Sequence, residues 1–532
     1  MAAAEPAPRR ARRLVGGALL AIVVAVAGLP IITATPAAAA PNPVSIENAL
    51  PGNPQSEWDI NGAGDGSIQG YTTDISANVG GTVQFKVDVE QNAEFRIDIY
   101  RLGWYGGNGA RKVATIPSSQ TTSTGQNPCL SDPVSGLVDC GNWSVSATWN
   151  VPSTAVSGVF IGRLVREDTG GASHVPFVVR NDTSSSKLLF QTSDTTWHAY
   201  NQFGGNSRYT GRGPGTGGAA DGRTYKVSYN RPITVRGNAP EDSLFNAEYP
   251  MIRWLERNGY DVSYFSGIDT DRRGAELLEH EVFVSTGHDE YWSGPQRTNV
   301  EAARDAGVHL AFFSGNEVFW KTRYESSIDG SGTANRTLVS YKETHNYPNH
   351  PDPSSEWTGT WRDPRGPGTR PENALTGTIF SVNCCTYNMT VPDQAGLTRL
   401  WRTSSVAGAG ADTLGSGMLG YEWDEDLDNG SRPANQIRFS RTTQGGVLRT
   451  VDSTYGSTFE TGSATHSLTM YRAPSGALVF GAGTVQWSWG LDEVHDQTQG
   501  PAIPAVQQAT VNLFSDMGIS PETPQSGIVV TG

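Results

Sequence analysis

Between residues 82 and 166 apolar and polar positions alternate. TVQFKVDV, FRIDIYRLG, WSVSATWNV and GVFIGRLVRE each keep a period of two. That spacing buries one face of a strand and leaves the other wet. Turn residues separate the segments. The pattern predicts an all-β, immunoglobulin-like sandwich over residues 41–181. No acidic or histidine cluster stands out in it, so its expected role is stabilisation or binding. The polar stretch around RNDTSSSK predicts a linker at residues 182–186.

The period then changes. KLLFQTS, DVSYFSG, HEVFVSTG and VHLAFFSGNE are short apolar runs that read as buried strands. AEYPMIRWLERNGY, with Met251, Ile252, Trp254 and Leu255 at helical spacing, and PQRTNVEAARDAG read as helices. Strands alternating with helices predict a parallel sheet with helices on its faces, over residues 187–520, followed by a tail at 521–532. Ligands of such sheets bind beyond the carboxyl ends of the strands. Four polar clusters fall near such ends: SDTTWHAYNQFGG, SGIDTDR, TGHDEYWSG and SGNEVFWK. After residue 322 the pattern loosens into a Pro/Gly-rich excursion, and ALVFGAGTVQWSWGLD and PAIPAVQQATVNLFSDMG predict a closing strand and helix.

The amino terminus belongs to neither part. PRRARRLVGGALLAIVVAVAGLP starts basic and continues apolar, and TPAAAA offers small residues for cleavage. Residues 1–40 therefore predict a secretory signal peptide and an extracellular protein. Arg9–Arg10 and Arg12–Arg13 leave twin-arginine export open beside the general route. The apolar run, residues 14–29, is short for a membrane span, so no membrane association is expected of the mature form.

Composition adds bounds. The 532 residues are 37% hydrophobic and 17% charged, enough for a sizeable core. The 62 Gly and 31 Pro imply many turns. Against 53 acidic residues stand 39 basic ones, a net charge of −14, which weighs against nucleic-acid partners. Cys129 and Cys140 flank a short loop and should pair in an oxidising compartment. Cys384 and Cys385 are adjacent, and neither pair has zinc spacing.

The densest chemistry lies in STGHDEYWS, where His288, Asp289, Glu290, Tyr291 and Trp292 follow an apolar run. Taken singly, these and other polar residues have plain roles. Glu290 could cap the helix that comes next. Asn316 could be a turn residue, Lys342 a solvated lysine, and Tyr200 and Tyr209 half-buried aromatics. Trp487 and Trp489 read as core or pocket wall, and Asp492 as structural.

Eight motifs occur in order: TTWHAYNQFGGNSRY, VSYNRP, STGHDEYWS, FFSGNEVFWK, SYKE, WRDP, YEWDED and GAGTVQWSWGLD. Together they resemble the catalytic domain of the N,N-dimethylformamidase large (beta) subunit family over residues 186–520. GSIQGYTTDIS and YRLGWYGGNGAR resemble the β domain joined to it. The resemblance implies a class I glutamine amidotransferase-like α/β fold. It also implies hydrolysis of C–N bonds in small linear amides at a mononuclear, ferric iron held by two tyrosines and a glutamate. On this sequence the motifs put those at Tyr200, Tyr209 and Glu290, with Tyr229 as the other choice for the second tyrosine. His288, Asn316 and Lys342 match polar positions near the substrate, and Glu422 a further acidic residue.

The implied chemistry is coherent. Phenolate and carboxylate are hard donors suited to ferric iron, and three protein ligands leave positions open. His288 could serve as general acid or base, with Glu422 sharing the work. Asn316 could orient substrate or face a developing oxyanion. Tyr291 and Trp292 are expected to wall the pocket. The chain departs from the family's pattern in its export segment, and nothing in it resembles the small subunit of dimethylformamidase. The resemblance assigns no role to His198 or Asp289. The oligomeric state stays open, a homo-oligomer included. Three other readings compete: a cysteine amidotransferase, a non-catalytic module binding polysaccharide or cell wall, and a metal-free glycoside hydrolase pairing Glu290 with Glu422.

Overall fold

In a computed structural model of the chain, the described residues are 40–211, 213–214, 222–346, 351–408, 410–451, 456, 458–497 and 500–531. The expected signal segment lies outside them, apart from Ala40. Pro41–Gly532 forms one compact unit. Among the described residues no helix is long and apolar enough to cross a membrane.

The alternating segments fold as two facing sheets. One runs in the order Ile68–Thr72, Thr82–Val89, Ala147–Asn150. The other runs Ser76–Asn78, Ala172–Arg180, Gly158–Arg166, Phe95–Leu102, Ala110–Ile116. In Thr82–Val89 burial follows the alternation. Val83, Phe85, Val87 and Val89 meet Phe95, Ile97, Ile99, Phe160 and Phe177 in one core. Cys129 and Cys140 are joined, as their spacing predicts. Cys384 and Cys385 are joined as well.

The short apolar runs form one side of a seven-stranded sheet ordered Val262–Phe265, Leu188–Gln191, Val282–Gly287, His309–Ser314, Leu478–Gly481, Thr469–Arg472, Ile437–Arg438. The first five are parallel, Thr469–Arg472 runs against them, and Ile437–Arg438 pairs antiparallel with Thr469–Arg472. Four of the parallel strands are buried at every position, which is why they read as unbroken apolar runs. Leu244–Arg257, Gly294–Ala306 and Pro504–Asp516 are the long helices.

The expectation of a class I glutamine amidotransferase-like α/β fold is corrected here. The molecule is mostly β, with strand residues outnumbering helical ones. Its described strands fall into seven sheets. Beyond Ser314 the chain builds antiparallel ladders, such as Thr442–Thr450 on Phe459–His466 and Ile379–Asn383 on Glu422–Glu425. The strand–helix alternation holds over residues 187–314, and the second half of the chain does not keep it.

The linker does not separate two bodies. Tyr100, Leu102, Val159, Ile161 and Val178 from the sandwich share a core with Leu188, Phe190 and Trp254.

Candidate functional site

The strand Val282–Gly287 ends in a residue with φ +85, where a Cβ would stand 3.0 Å from that of Ala247. Glycine meets both conditions, and the chain turns out of the sheet directly before His288. Asp289 points back: its Oδ2 accepts from Gln191 Nε2 at 2.6 Å and Ser285 Oγ at 2.9 Å. Tyr291–Ser293 then pairs with Trp320–Thr322. Ser293 and Gln296 make a reciprocal capping box for the helix Gly294–Ala306. The cap is therefore Ser293, and Glu290 is free for other work.

Glu290 is buried and faces two phenols. Tyr209 OH lies 2.9 Å from each carboxylate oxygen, and Tyr200 OH 3.3 Å from Oε2. The two rings stack with centroids 4.1 Å apart. Tyr200 closes the helix Asp194–Tyr200, which comes after the parallel strand Leu188–Gln191. Tyr209 sits in the loop beyond it.

His288 forms the other half. Its Nδ1 is 2.7 Å from Asp242 Oδ1, and its Nε2 is 2.7 Å from Glu422 Oε2 and 3.5 Å from Glu290 Oε2. Asn316 Nδ2 donates to Glu422 Oε2 at 2.8 Å and lies 3.2 Å from His288 Nε2. Asn316 holds φ at 47°, and its backbone N–H donates to Asp424 at 2.9 Å. It is thus both turn residue and site residue. Its Oδ1 has no hydrogen-bond partner among the described residues.

Lys342 is no surface lysine: it is 1% exposed. Its Nζ donates to Tyr291 OH at 2.9 Å and lies 3.8 Å from the Tyr209 ring centroid. Tyr291 OH stands 2.5 Å from Tyr209 OH, so Tyr291 joins the network rather than merely walling it. Trp292 packs on Phe283 and Phe312, away from it.

Burial sets the electrostatics. It pushes Glu290 up to about 7, against the pull of His288 and Lys342. It pushes Lys342 down to about 7, although Glu343 and Glu290 oppose it. For His288 burial disfavours the cation, yet Glu422 and Asp242 outweigh it and raise the imidazole well above its ordinary value. Burial, then the Glu290 charge, push the Tyr200 and Tyr209 phenols well up.

The other tyrosine choice is not brought here. Tyr229 OH donates to Asp194 at 2.8 Å, and its ring lies 3.9 Å from that of His198. Trp487 is buried, Trp489 donates to Asn246 O, and Asp492 pairs with Arg253 at 3.1 Å. Sequence reading missed Asp242 and Tyr421. Asp242 ends a three-residue turn just before a helix and reads as an entry cap. Tyr421, whose OH donates to Asp242 Oδ1 at 3.0 Å, directly precedes Glu422 in a motif already singled out.

Among the described residues no group of three or more His, Cys, Asp or Glu side chains is arranged to hold a metal. A metal here would lean on phenols. Tyr200, Tyr209 and Glu290 fit that demand, because three hard oxygens converge within hydrogen-bond distance in a buried setting. A cation could take the place of the protons they now share.

Residues 96–500 match the protein-family model described as N,N-dimethylformamidase beta subunit-like, C-terminal. The chain belongs to this family. The dimethylformamidase-like match begins in the strand Phe95–Leu102 of the sandwich, well before the eight catalytic-domain motifs, and takes in YRLGWYGGNGAR of the β domain. It takes in Tyr200, Tyr209, Asp242, His288, Glu290, Asn316, Lys342 and Glu422. No curated protein matches the chain. The cysteine reading lacks its nucleophile, since all four cysteines are in disulfides. A paired-carboxylate glycosidase needs a sugar between its two acids. Here Glu290 and Glu422 both stand against one imidazole nitrogen.

Proposed function

We propose that this dimethylformamidase-like protein is exported and hydrolyses the C–N bond of a small linear amide at a mononuclear ferric iron. Tyr200, Tyr209 and Glu290 would hold the iron. The observation that carries this reading is the convergence of the two phenols on the Glu290 carboxylate, 2.9 and 3.3 Å away, in a chain of this family. When bound, such a metal polarises an amide carbonyl and acidifies a water.

The chain's own groups supply the rest. His288, whose cation Glu422 and Asp242 favour, donates a proton from Nε2 to the departing amine and regains one from the attacking water. Glu422, 2.7 Å away, steadies the imidazolium. Asn316 Oδ1, unpartnered among the described residues, is free to orient water or substrate. Lys342 donates to Tyr291, whose hydroxyl can in turn donate to a Tyr209 phenolate. Glu290 is 3% and His288 5% exposed, a setting that suits a small substrate and excludes bulk water. The amino-terminal apolar segment supports the extracellular destination.

Elemental analysis of the mature protein tests the reading. Near-stoichiometric iron is expected, lost in a Tyr200→Phe, Glu290→Ala double variant, together with release of amine from N,N-dimethylformamide or a related small amide. No metal bound after growth in iron and reconstitution would overturn it.

A further inference from the structure

The strand Lys226–Ser228 pairs antiparallel with Thr337–Val339, with Ser228 opposite Thr337. That register brings Arg231, just beyond the first strand, and Arg336, just before the second, to the same end of the ladder. They are 1% and 3% exposed, and a guanidinium does not shed its charge. Every bond they make among the described residues goes to an uncharged oxygen. Arg231 Nε donates to Ser228 O at 3.2 Å, Nη1 to Phe203 O and Asn206 O at 3.0 and 2.9 Å, and Nη2 to His198 O at 2.9 Å. Arg336 Nε donates to Asn230 Oδ1 at 2.8 Å, and Nη2 to Thr72 O and Tyr229 O at 3.3 and 3.1 Å. Its Nη1 donates to nothing among the described residues. Burial disfavours both cations, and the charges of Asp139 and Asp74 offset it only in part. Those acids are engaged elsewhere. Asp74 pairs with Arg272 at 2.9 Å, and Asp139 accepts from Gly141 N, Ser327 Oγ and Ile328 N. Two buried cations thus lack a counter-charge in contact with them, a costly arrangement unless something else supplies it.

Both side chains line one cavity, together with His198, Tyr71 and Tyr229. It leaves about 10 Å³ for the centre of a water-sized guest, which is room for one. Of the residues around it only Ile233 is more than buried wall. Neither ring nitrogen of His198 has a hydrogen-bond partner among the described residues. Ser228 O stands near the ring but outside hydrogen-bond geometry, so at least one nitrogen is left for a guest. No change of protonation is needed, because a neutral imidazole already carries one N–H.

We propose that this cavity binds one compact monovalent anion of the halide class, chloride being the common one, between Arg231, Arg336 and His198. The cavity admits a single atom-sized guest, which excludes a tetrahedral oxyanion or the carboxylate of a larger molecule. A water would answer the free N–H groups but not the two charges. The site joins two parts of the chain. Tyr71 and Thr72, in the strand Ile68–Thr72, and Val175 and Pro176, in the strand Ala172–Arg180, close it from the sandwich side. His198 closes it from the helix Asp194–Tyr200, whose last residue faces Glu290. The anion would hold that helix and the ladder end against the sandwich. None of this depends on the hydrolase reading.

Bromide is the probe. Crystals of the mature chain grown from sodium bromide should show an anomalous peak in the cavity, beside Arg336 Nη1. Bromide at surface positions only, an adventitious ion, or a water without anomalous signal in the cavity overturns the inference. In solution, bromide is exchanged for gluconate at fixed ionic strength and thermal unfolding is followed. The wild-type midpoint should rise by roughly 1–2 °C per tenfold in bromide once the site fills, because the ion binds the folded state alone. Arg336→Gln, which removes one of the two charges, should lose that rise. A rise of equal size in the variant places the effect elsewhere and overturns the assignment. Should Arg336→Gln not fold, the anomalous map of the wild type decides alone.

Discussion

Tyr209 and Tyr229 carry the same phenol into different surroundings. Tyr209 OH touches both oxygens of Glu290, whereas Tyr229 OH donates to the fully buried Asp194. Tyr209→Phe should therefore abolish iron retention, besides the stability lost when the buried Glu290 carboxylate loses a donor. Tyr229→Phe should keep the iron and lower stability by about 1–3 kcal/mol, because a buried acceptor loses its donor. Iron content separates the two, denaturant titration reads the stability loss, and the opposite iron pattern would move the second ligand to Tyr229. The same contrast explains how much of the site was legible. His288 and Glu290 sit in one short motif past an apolar run, and Asn316 comes after the next strand. Lys342 could be found only through resemblance, because its burial is made by Tyr209, Tyr291 and Trp320 from other elements. Asp242 carried no signal, since an acid before a helix is ordinary.

At the scale of elements, the site depends on how a strand ends. Gly287 turns the chain at φ +85, beside Ala247. Gly287→Ala would force an L-residue into the left-handed region and press a methyl on Ala247, costing about 1–2 kcal/mol or more. The strain falls one residue before His288 and three before Glu290. The variant should thus lose iron affinity as well as stability, measured by metal titration and by chemical unfolding. Wild-type affinity in a destabilised variant would mean that the turn serves the sheet alone. Strands of this kind were readable because full burial leaves continuous apolar runs. The later ladders were not. Thr442–Thr450, TTQGGVLRT, is buried at three scattered positions, so no period survives in its sequence. Periodicity reports a uniform environment, and strands that cross between sheets, edges and solvent do not have one. The α/β expectation came from the half of the chain where that environment is uniform.

At the scale of the whole molecule, the sandwich is welded to the larger, carboxyl-terminal part of the chain. Arg101, in the sandwich strand Phe95–Leu102, grips Glu256, in the helix Leu244–Arg257, through two bonds of 2.7 and 2.8 Å. Tyr264 OH donates to the same carboxylate at 2.8 Å. Arg101 and Glu256 are each 1% exposed. Removing Arg101 alone leaves a buried carboxylate without its counter-charge, which costs about 3–5 kcal/mol, while removing both charges together costs far less. Arg101→Met should therefore destabilise the entire chain, not the sandwich alone, and Glu256→Gln added to it should restore part of the loss. The shared core sharpens this. A fragment of residues 187–532 would bare the face that Tyr100, Leu102, Val159, Ile161 and Val178 now cover, along with Glu256. It should fail to fold, and residues 41–532 should unfold in one cooperative transition. A soluble, folded fragment, or two separate transitions in the intact chain, would show that the sandwich is a separable module. One transition would explain why the family match does not stop at the linker but begins at residue 96, inside the sandwich. The helix Leu244–Arg257 is held by the sandwich at Glu256 and comes directly after the turn that carries Asp242. Stability of the one part is then a condition for the geometry of the other.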